Sequence, residues 1–543
     1  MDVSLDRLST LFLTELSQLD AFAAEREAGF ALDSGRDDPD VRRLIEAMAF
    51  FSARTRAGAI GALEAAVRRL AAGTLDELLV PCPAAVMVQV VPGEQMVEPV
   101  LLPAGLPLQA TTKDGRIGVF STERALLVLP AETRSATLTR GPRRVEIAIQ
   151  VATLRPLSKA TTLSFYVRRL DDYRASLALY DALERHFVRA SAESEEVGEL
   201  PCRIEFGPRS SQQFGPESEA GDPGPFTAIR SFFQLPEQEL FVRVSVPAVP
   251  GGWSDLTIRI ELDEVFPEQF GVNCDTFELG VVPCVNRWSD FARPIECDGT
   301  RQSYPVRSAE AMLDDVELHE LRGVYRSGEH GLSPIAPTAL AEQGDSFEFE
   351  PAGPAQGDLV RLEIADAFET PCRVQLDAWW SQPRLWSAPA GRMTLAPRTR
   401  RLPGLGFRTL GAVHPAHASP LARDPSRCLD VLSLKVRPVL ARRDLIGMLE
   451  ILGASGDSCY RGLPSSIDEL ESLQATDPER RAGGIRRLYR LALRSRSIDD
   501  EPLLQRLARE AAKLLDAWTE DAVDVEVVTR RPMPARALLQ ESA

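Results

Sequence analysis

The stretch Thr276–Ile295 reads TFELGVVPCVNRWSDFARPI. Phe277, Leu279 and Val281 alternate, which places three apolar side chains on one face of a strand. Pro283 has no N–H to give to a ladder, so regular pairing is expected to end there. Asn286 carries an amide suited to satisfying backbone groups in the following turn. Taken alone, the segment is a strand and its exit, and it marks this part of the chain as β-rich.

The same period of two recurs on both sides. Ala85–Val91, Arg124–Leu129, Val145–Val151 and Leu163–Val167 precede the segment. Phe226–Phe233, Glu239–Val246, Leu256–Leu262 and Asp275–Val282 are expected as further strands, and Asp345–Trp380 as another β-rich block. One helix interrupts them: Leu177, Tyr180, Leu183 and Phe187 give Arg174–Val188 a mostly apolar face. Gln212–Pro225, rich in Gly, Pro, Glu and Ser, reads as an exposed linker. Pro383–Arg423, crowded with Pro, Gly and Arg, reads as loops with short strands.

Both ends read as helical. Leu5, Leu8, Phe12, Leu16, Leu19 and Ala23 recur every three or four positions and form one apolar stripe, stopped by Gly29 and Asp33-Ser34-Gly35. Asp38-Pro39-Asp40 opens a second helix, with Asp38 as cap and Pro39 at the first helical position. Val41, Leu44, Ile45, Met48 and Phe51, then Ile60, Leu63, Val67 and Leu70, are expected to line one apolar face up to Gly73, and Leu75–Leu79 adds a short turn. Near the other end, Asp444–Leu452 and Ile467–Leu473 are short helix candidates. Leu504, Leu507, Ala511, Leu514 and Trp518 carry a 3-4-3-4 spacing that suits either a partner helix or the chain's own core. Val523, Val525 and Val527 suggest a last strand.

The expected fold class is α+β: an N-terminal helical segment, several sandwich-like or barrel-like β-rich domains, and a helical C-terminal region. The expected boundaries are 1–80 (helical), 81–211 (β-rich with one helix), 226–335 (β-rich, carrying the quoted segment), 336–440 (β-rich and loops) and 441–543 (mainly helical).

The 543 residues carry a formal net charge of −17, which argues against a general nucleic-acid binder or an anionic membrane surface as partner. No apolar run approaches the roughly 20 residues needed to cross a bilayer, and MDVSLDRL has no secretory character. Cys82, Cys202, Cys274, Cys284, Cys297, Cys372, Cys428 and Cys459 are scattered, as expected of reduced, individually buried cytoplasmic thiols.

Candidate chemistry is thin. His414 and His417 form H-x-x-H, but two ligands hold a metal only weakly and no third is near in sequence. Gly456-Asp457-Ser458 resembles an esterase nucleophile turn, yet every one of the five histidines precedes Ser458. Gly404-Leu405-Gly406 follows no buried strand, so it makes a poor dinucleotide turn. The pairs Asp171-Asp172, Asp314-Asp315 and Asp499-Asp500 read as solvated turns and helix starts. Trp379, Trp380 and Trp386 are the one aromatic cluster that could form a sugar platform, though adjacent strand residues point to opposite faces. No catalytic residue, cofactor or metal is expected.

An ordered series of segments resembles the TssF family of the type VI secretion system. The quoted stretch is similar to its F-x-L-x-x-x-P-x-V-N-[LF]-F pattern followed by A-x-P-I, with Phe277, Leu279, Pro283, Val285, Asn286, Ala292, Pro294 and Ile295 in place; Arg287 and Trp288 replace its usual Leu-Phe. Asp38-Pro39-Asp40-Val41 with Leu44–Phe51, the proline-flanked Leu75–Pro83, LSFYV at Leu163–Val167, LYDAL at Leu179–Leu183, RSFFQLPEQELF at Arg230–Phe241 and Tyr304-Pro305-Val306 follow in family order. The resemblance covers about residues 1–325. After about Leu340 the later motifs do not align, and Cys372 is followed by Arg-Val-Gln where the family has C-T-N-R-x-L-P.

This resemblance implies a non-enzymatic baseplate wedge subunit. Its implied partners are a TssG-like subunit, a second copy of itself, a TssE-like sheath initiator, TssK-like trimers and the central hub or spike, and its implied place is the cytoplasmic side of an inner-membrane complex. Leu5, Leu8, Phe12, Leu16 and Leu19, with Leu504, Leu507, Leu514 and Trp518, are the candidate partner-binding residues. The alternatives are a baseplate protein of a related phage-tail-like machine and a multi-domain carbohydrate-binding or carbohydrate-active β protein.

Overall fold

The computed structural model describes residues 5–30, 39–194, 198–208, 224–249, 251–328, 330–341, 344–350, 357–387, 393–398, 402, 404–419, 421, 424–437, 439–455, 458–476, 485–495, 497–519 and 522–530. Asp33-Ser34-Gly35, Asp38, most of Gln212–Pro225, Gly456, Asp457 and the side chain of Leu5 lie outside the described residues. The chain divides into two units: Met1–Leu79 with Ala352–Gly357 and Pro420–Val436, and the remainder.

The first unit is helical. It contains α1 (Leu5–Phe30), α2 (Pro39–Ala72), α3 (Asp76–Leu79) and, from far along the chain, a helix at Pro425–Lys435 that packs on α2. Ser52 donates to Glu15 at 2.7 Å, and Arg56 meets the same carboxylate at 2.8 Å. These residues lie about equally far from the connection between α1 and α2, so the two helices form an antiparallel hairpin. The two partners hold the Glu15 carboxyl below the usual carboxylate range, the Ser52 hydrogen bond most and Arg56 next. Asp424 caps the later helix by accepting from Ser426 and Arg427 N–H.

The second unit is built from mainly antiparallel sheets. Its six-stranded sheet runs, in spatial order, Thr394–Pro397, Pro107–Thr111, Ile117–Thr122, Val281–Val285, Ala85–Pro92 and Leu405–His414. The first and last of these strands also approach each other, so the sheet curls toward a barrel around Val86, Val88, Phe120, Cys284 and Trp386. A five-stranded sheet is centred on Trp253–Asp263 and Arg144–Leu157, and a four-stranded one on Phe241–Val246 and Thr161–Val167. Another five-stranded sheet has Cys372–Ser381 at its centre. It packs with the sheet containing Leu359–Glu363 around Trp288, Val360, Val374, Leu376 and Trp380. Helices α4 (Tyr173–His186) and α5 (Pro225–Gln234) lie in the first half of this unit. With the helix of the first unit at Pro425–Lys435 as α6, α7 (Arg442–Leu452) and α8 (Glu501–Trp518) follow.

Two elements differ in kind from the sequence expectation. Phe226–Phe233, expected as a strand, is α5. Pro225 stands at its start, and Phe226, Ile229, Phe232 and Phe233 recur with helical spacing on the buried side. Ile467–Leu473, expected as a helix, is the strand Ile467–Thr476, which pairs with Ile485–Arg494; Ala522–Arg530 joins the latter in parallel. A short apolar run cannot by itself separate the two periods, and here cross-strand pairing decided. Pro383–Arg423 also contains the ten-residue strand Leu405–His414, longer than expected.

Candidate functional site

Two features carry information about function: the surface of α2, and the segment Thr276–Ile295.

The α1–α2 hairpin splits the expected apolar face of α2, burying Val67 and leaving its largest side chains outside. Ala49, Ala53, Ala57, Val67 and Ala71 are buried, whereas Leu44, Met48, Phe51, Leu63 and Leu70 are between 59% and 66% exposed. At about 100° per residue, these five large side chains fall within one sector of about 120°, opposite the alanines. The physical reason is size. Alanines let helices approach closely, and the large apolar side chains are left facing outward. On α1, Leu8, Phe12, Leu16 and Leu19 are half-buried, while Leu13 and Phe22 are exposed. The larger exposed apolar row is thus on α2 and not on the α1 stripe. The signal was in the sequence: α2 has more large apolar residues around its circumference than one neighbour can cover.

At the other end, Leu504, Leu507, Leu514 and Trp518 are buried within the second unit, with Trp518 against Phe226. The 3-4-3-4 spacing of α8 thus serves this chain's own core, and those four residues offer no free seam.

Thr276–Ile295 is not one strand. Phe277–Glu278 ends the four-stranded sheet, with Phe277 edge-on to Phe165. Leu279-Gly280 turns the chain, with Gly280 at φ +72°. A Cβ there would collide with the Val90 carbonyl oxygen, so glycine is required. Val281–Val285 then enters the six-stranded sheet, and Trp288–Phe291 and Ile295–Cys297 join the five-stranded one. Within this stretch the chain passes through three sheets. Pro283, expected to end pairing, sits mid-strand opposite Met87; its backbone faces away from Ala85–Pro92, so its missing N–H takes no bond from that pair, and its carbonyl accepts from Glu123 N–H at 2.9 Å on the other side. Leu279 and Pro294 are half-buried, while Val285 and Ile295 are buried.

Asn286 satisfies backbone groups, but distant ones instead of those in its own turn. Fully buried, it donates to Val119 O at 2.6 Å and accepts from Gln382 N–H at 2.7 Å. Gln382, equally buried, accepts from Val119 N–H at 3.0 Å and donates to Ile117 O and Asp314 O. This two-amide knot fastens the strand after Arg116 to the end of the central strand Cys372–Ser381. Nearby, the buried Glu278 carboxylate is held by Arg168 at 2.7 Å.

The remaining sequence candidates stay apart. His414 faces Glu237 at 3.3 Å. Burial of the ring lowers its pKa, but the hydrogen bond and charge of Glu237 outweigh that and leave it above the usual histidine value. His417 is tied through its backbone to Cys82. Trp380 and Trp386 are buried and Trp379 is not, so the three indoles form no common platform. The eight thiols are free, and Cys274 is exposed, contrary to the expectation that each would be buried. No group of three or more His, Cys, Asp or Glu residues with metal-holding geometry occurs among the described residues, and no described helix is long and apolar enough to cross a membrane.

The family profile described as "Type VI secretion system, TssF" matches residues 25–347. No curated protein matches the chain by sequence. Among solved structures, a chain of a type VI secretion system TssK-TssF-TssG baseplate subcomplex, determined by cryo-electron microscopy, superposes with a TM-score of 0.70 at 16% identity, covering 90% of this chain and 96% of that one. A chain of a baseplate complex from the type VI secretion system gives 0.57 at 14% identity, covering 96% and 97%. The likeness of fold thus extends well beyond the residues that the profile reaches. With the profile matched over more than half its length, the chain belongs to the TssF family of the type VI secretion system.

Proposed function

We propose that this chain is a structural wedge subunit of a type VI secretion baseplate, and that the outward face of α2 is its principal assembly surface. The observation that carries the reading is the row Leu44, Met48, Phe51, Leu63 and Leu70, large apolar side chains left in water along a helix about 50 Å long. Burying one such side chain contributes roughly 1.5–3 kcal/mol, so leaving five exposed is costly unless a partner covers them. A TssG-like subunit is the fitting occupant, supported by family membership and by the fold shared with a chain of a TssK-TssF-TssG subcomplex. Further contacts would run to a second copy of this chain, a TssE-like sheath initiator, TssK-like trimers and the central hub. The assembly would sit in the cytoplasm against an inner-membrane complex. The role makes and breaks no covalent bond: the subunit holds its neighbours and yields when the sheath contracts.

The test is co-purification of a tagged TssG-like subunit of the same system with wild-type chain and with the double variant Phe51→Asp, Leu63→Asp. Loss of the complex, with unchanged circular dichroism of the variant, is the expected result. A complex that survives both charges removes α2 as the assembly surface.

A further inference from the structure

The second unit contains an open groove of about 1150 Å³ whose wall is the Thr276–Ile295 segment. Its hydrogen-bonding groups are unevenly used. In the strand Val281–Val285, Asn286 N–H bonds Ala84 O and Val90 N–H bonds Gly280 O, so even-numbered residues point their backbone groups toward Ala85–Pro92. The odd-numbered ones point to the other side. There Val285 is paired with Ser121 and the Pro283 carbonyl with Glu123 N–H, but Val281 has no ladder partner among the described residues. The sheet opens at that point, and the groove occupies the opening.

Charge is also left over along this groove. Arg287 lies over one side of Trp379 at 4.7 Å and Arg322 over the same ring at 5.3 Å. Arg322 donates to Ser289 Oγ at 3.4 Å and meets the Asp377 carboxylate only at 3.8 Å. The Arg287 side chain has no hydrogen-bond or ion-pair partner among the described residues, and its Nε is buried unsatisfied, as are Ser121 Oγ and Glu123 Oε2. The other carboxylates of the groove are engaged: Glu310 holds Arg398 at 2.6 Å, and Asp290 accepts from the Phe291 N–H at 2.8 Å.

We infer that this groove is a docking site for an extended, acidic peptide segment of a partner protein. The segment adds to the open sheet at Val281 and brings carboxylates to the guanidinium groups of Arg287 and Arg322. A free sheet position calls for a peptide backbone, which supplies both N–H and C=O. Two guanidiniums held by stacking on one indole call for a carboxylate. An inorganic anion would meet the second need only. The site stands on observations separate from the α2 surface and survives or falls independently of it.

The experiment uses the purified full chain and a fluorescein-labelled ten-residue peptide of alternating valine and glutamate, read by fluorescence polarisation. Saturable binding is expected, weakened at least about tenfold when glutamine or lysine replaces glutamate, and by a similar factor in Arg287→Gln. Arg322→Gln serves as the second variant should Arg287→Gln lose its wild-type circular dichroism. No saturable binding up to about 1 mM, equal binding of the lysine peptide, or full binding by a folded Arg287→Gln or Arg322→Gln chain overturns the proposal. So does competition by inorganic phosphate as effective as that by unlabelled peptide, which would assign the site to small anions.

Discussion

Replacing Asn286 with leucine removes one donor and one acceptor from the interior while nearly preserving side-chain volume. The groups left behind are Val119 O and Gln382 N–H, which Asn286 meets at 2.6 and 2.7 Å. Neither can turn to water, because both flank a side chain with no exposed surface. Leaving one buried backbone group unpaired costs about 1–3 kcal/mol, so the pair costs about 2–6 kcal/mol. With a urea dependence of about 3 kcal/mol per molar, the unfolding midpoint falls by about 0.7–2 M. Tryptophan fluorescence is the suitable probe, because Trp386 and Trp380 sit in the two separate cores that the knot fastens together. Gln382→Leu leaves both Asn286 bonds in place, since Asn286 accepts from the Gln382 backbone, and instead unpairs Val119 N–H, Ile117 O and Asp314 O; because the two side chains share Val119 as an anchor, the double variant should depart from the sum of the singles. If Asn286→Leu shifts stability by less than about 0.5 kcal/mol, as an exposed substitution would, the knot contributes nothing and the reasoning fails.

Gly280→Ala should destabilise by at least about 2 kcal/mol in the same assay, since it combines a left-handed backbone with a collision at Val90 O; an unchanged midpoint would show that the turn relaxes. On α2, Ala53→Leu should lower the melting temperature through overpacking worth about 1–3 kcal/mol, whereas Leu44→Lys should leave it nearly unchanged. The opposite ranking would mean that the helix buries its other face. Because the His414 pKa is raised in the fold, its pairing with Glu237 stabilises fully below the unfolded histidine value of about 6.5 and is lost as pH rises through the raised folded value. Glu237→Gln should therefore cost more stability at pH 5.5 than at pH 9, and a pH-independent cost would refute the pairing. A thiol reagent applied to the native chain should label Cys274 first and leave Cys284, Cys297, Cys372 and Cys428 until unfolding; early labelling of Cys284 would contradict its burial.

Periodicity identified most elements because most are half-buried. Val145–Val151 alternates against a core on one side, and the α4 face Leu177, Tyr180 and Leu183 is apolar on one side only. It failed where that condition failed. In α2 both faces are apolar, one through alanines and one through large side chains, so counting hydrophobic positions could not decide which was buried. In α5 a short aromatic run reads as a strand, and only Pro225 at its start and the spacing of Phe226, Ile229, Phe232 and Phe233 mark a helix. The family segment was legible as an identity long before it was legible as a structure. Its turn depends on the closeness of Val90 O to Gly280, and the partners of Asn286 are 167 and 96 residues away. No local reading could name either.

The position of that segment explains why its residues hold together as a pattern. Phe277, Val285, Asn286 and Ile295 each serve a different sheet or the join between sheets. A change in any one is felt at a boundary that the others also define, so their individual costs are coupled. A structural baseplate subunit gains from sheets held in one arrangement, and buried, hydrogen-bonded amides fix a single arrangement more strictly than apolar contacts do. The same stretch forms the wall of the open groove, with Arg287 and Trp288 standing where the family pattern carries an apolar-aromatic pair. Trp288 keeps its place in the core, whereas Arg287 turns to the groove face of Trp379. For holding the sheets together alone, a leucine at that position would serve as well and would leave no charge unpaired. Arg287→Leu thus separates the two demands: stability should hold or rise, and any affinity for an acidic segment should be lost.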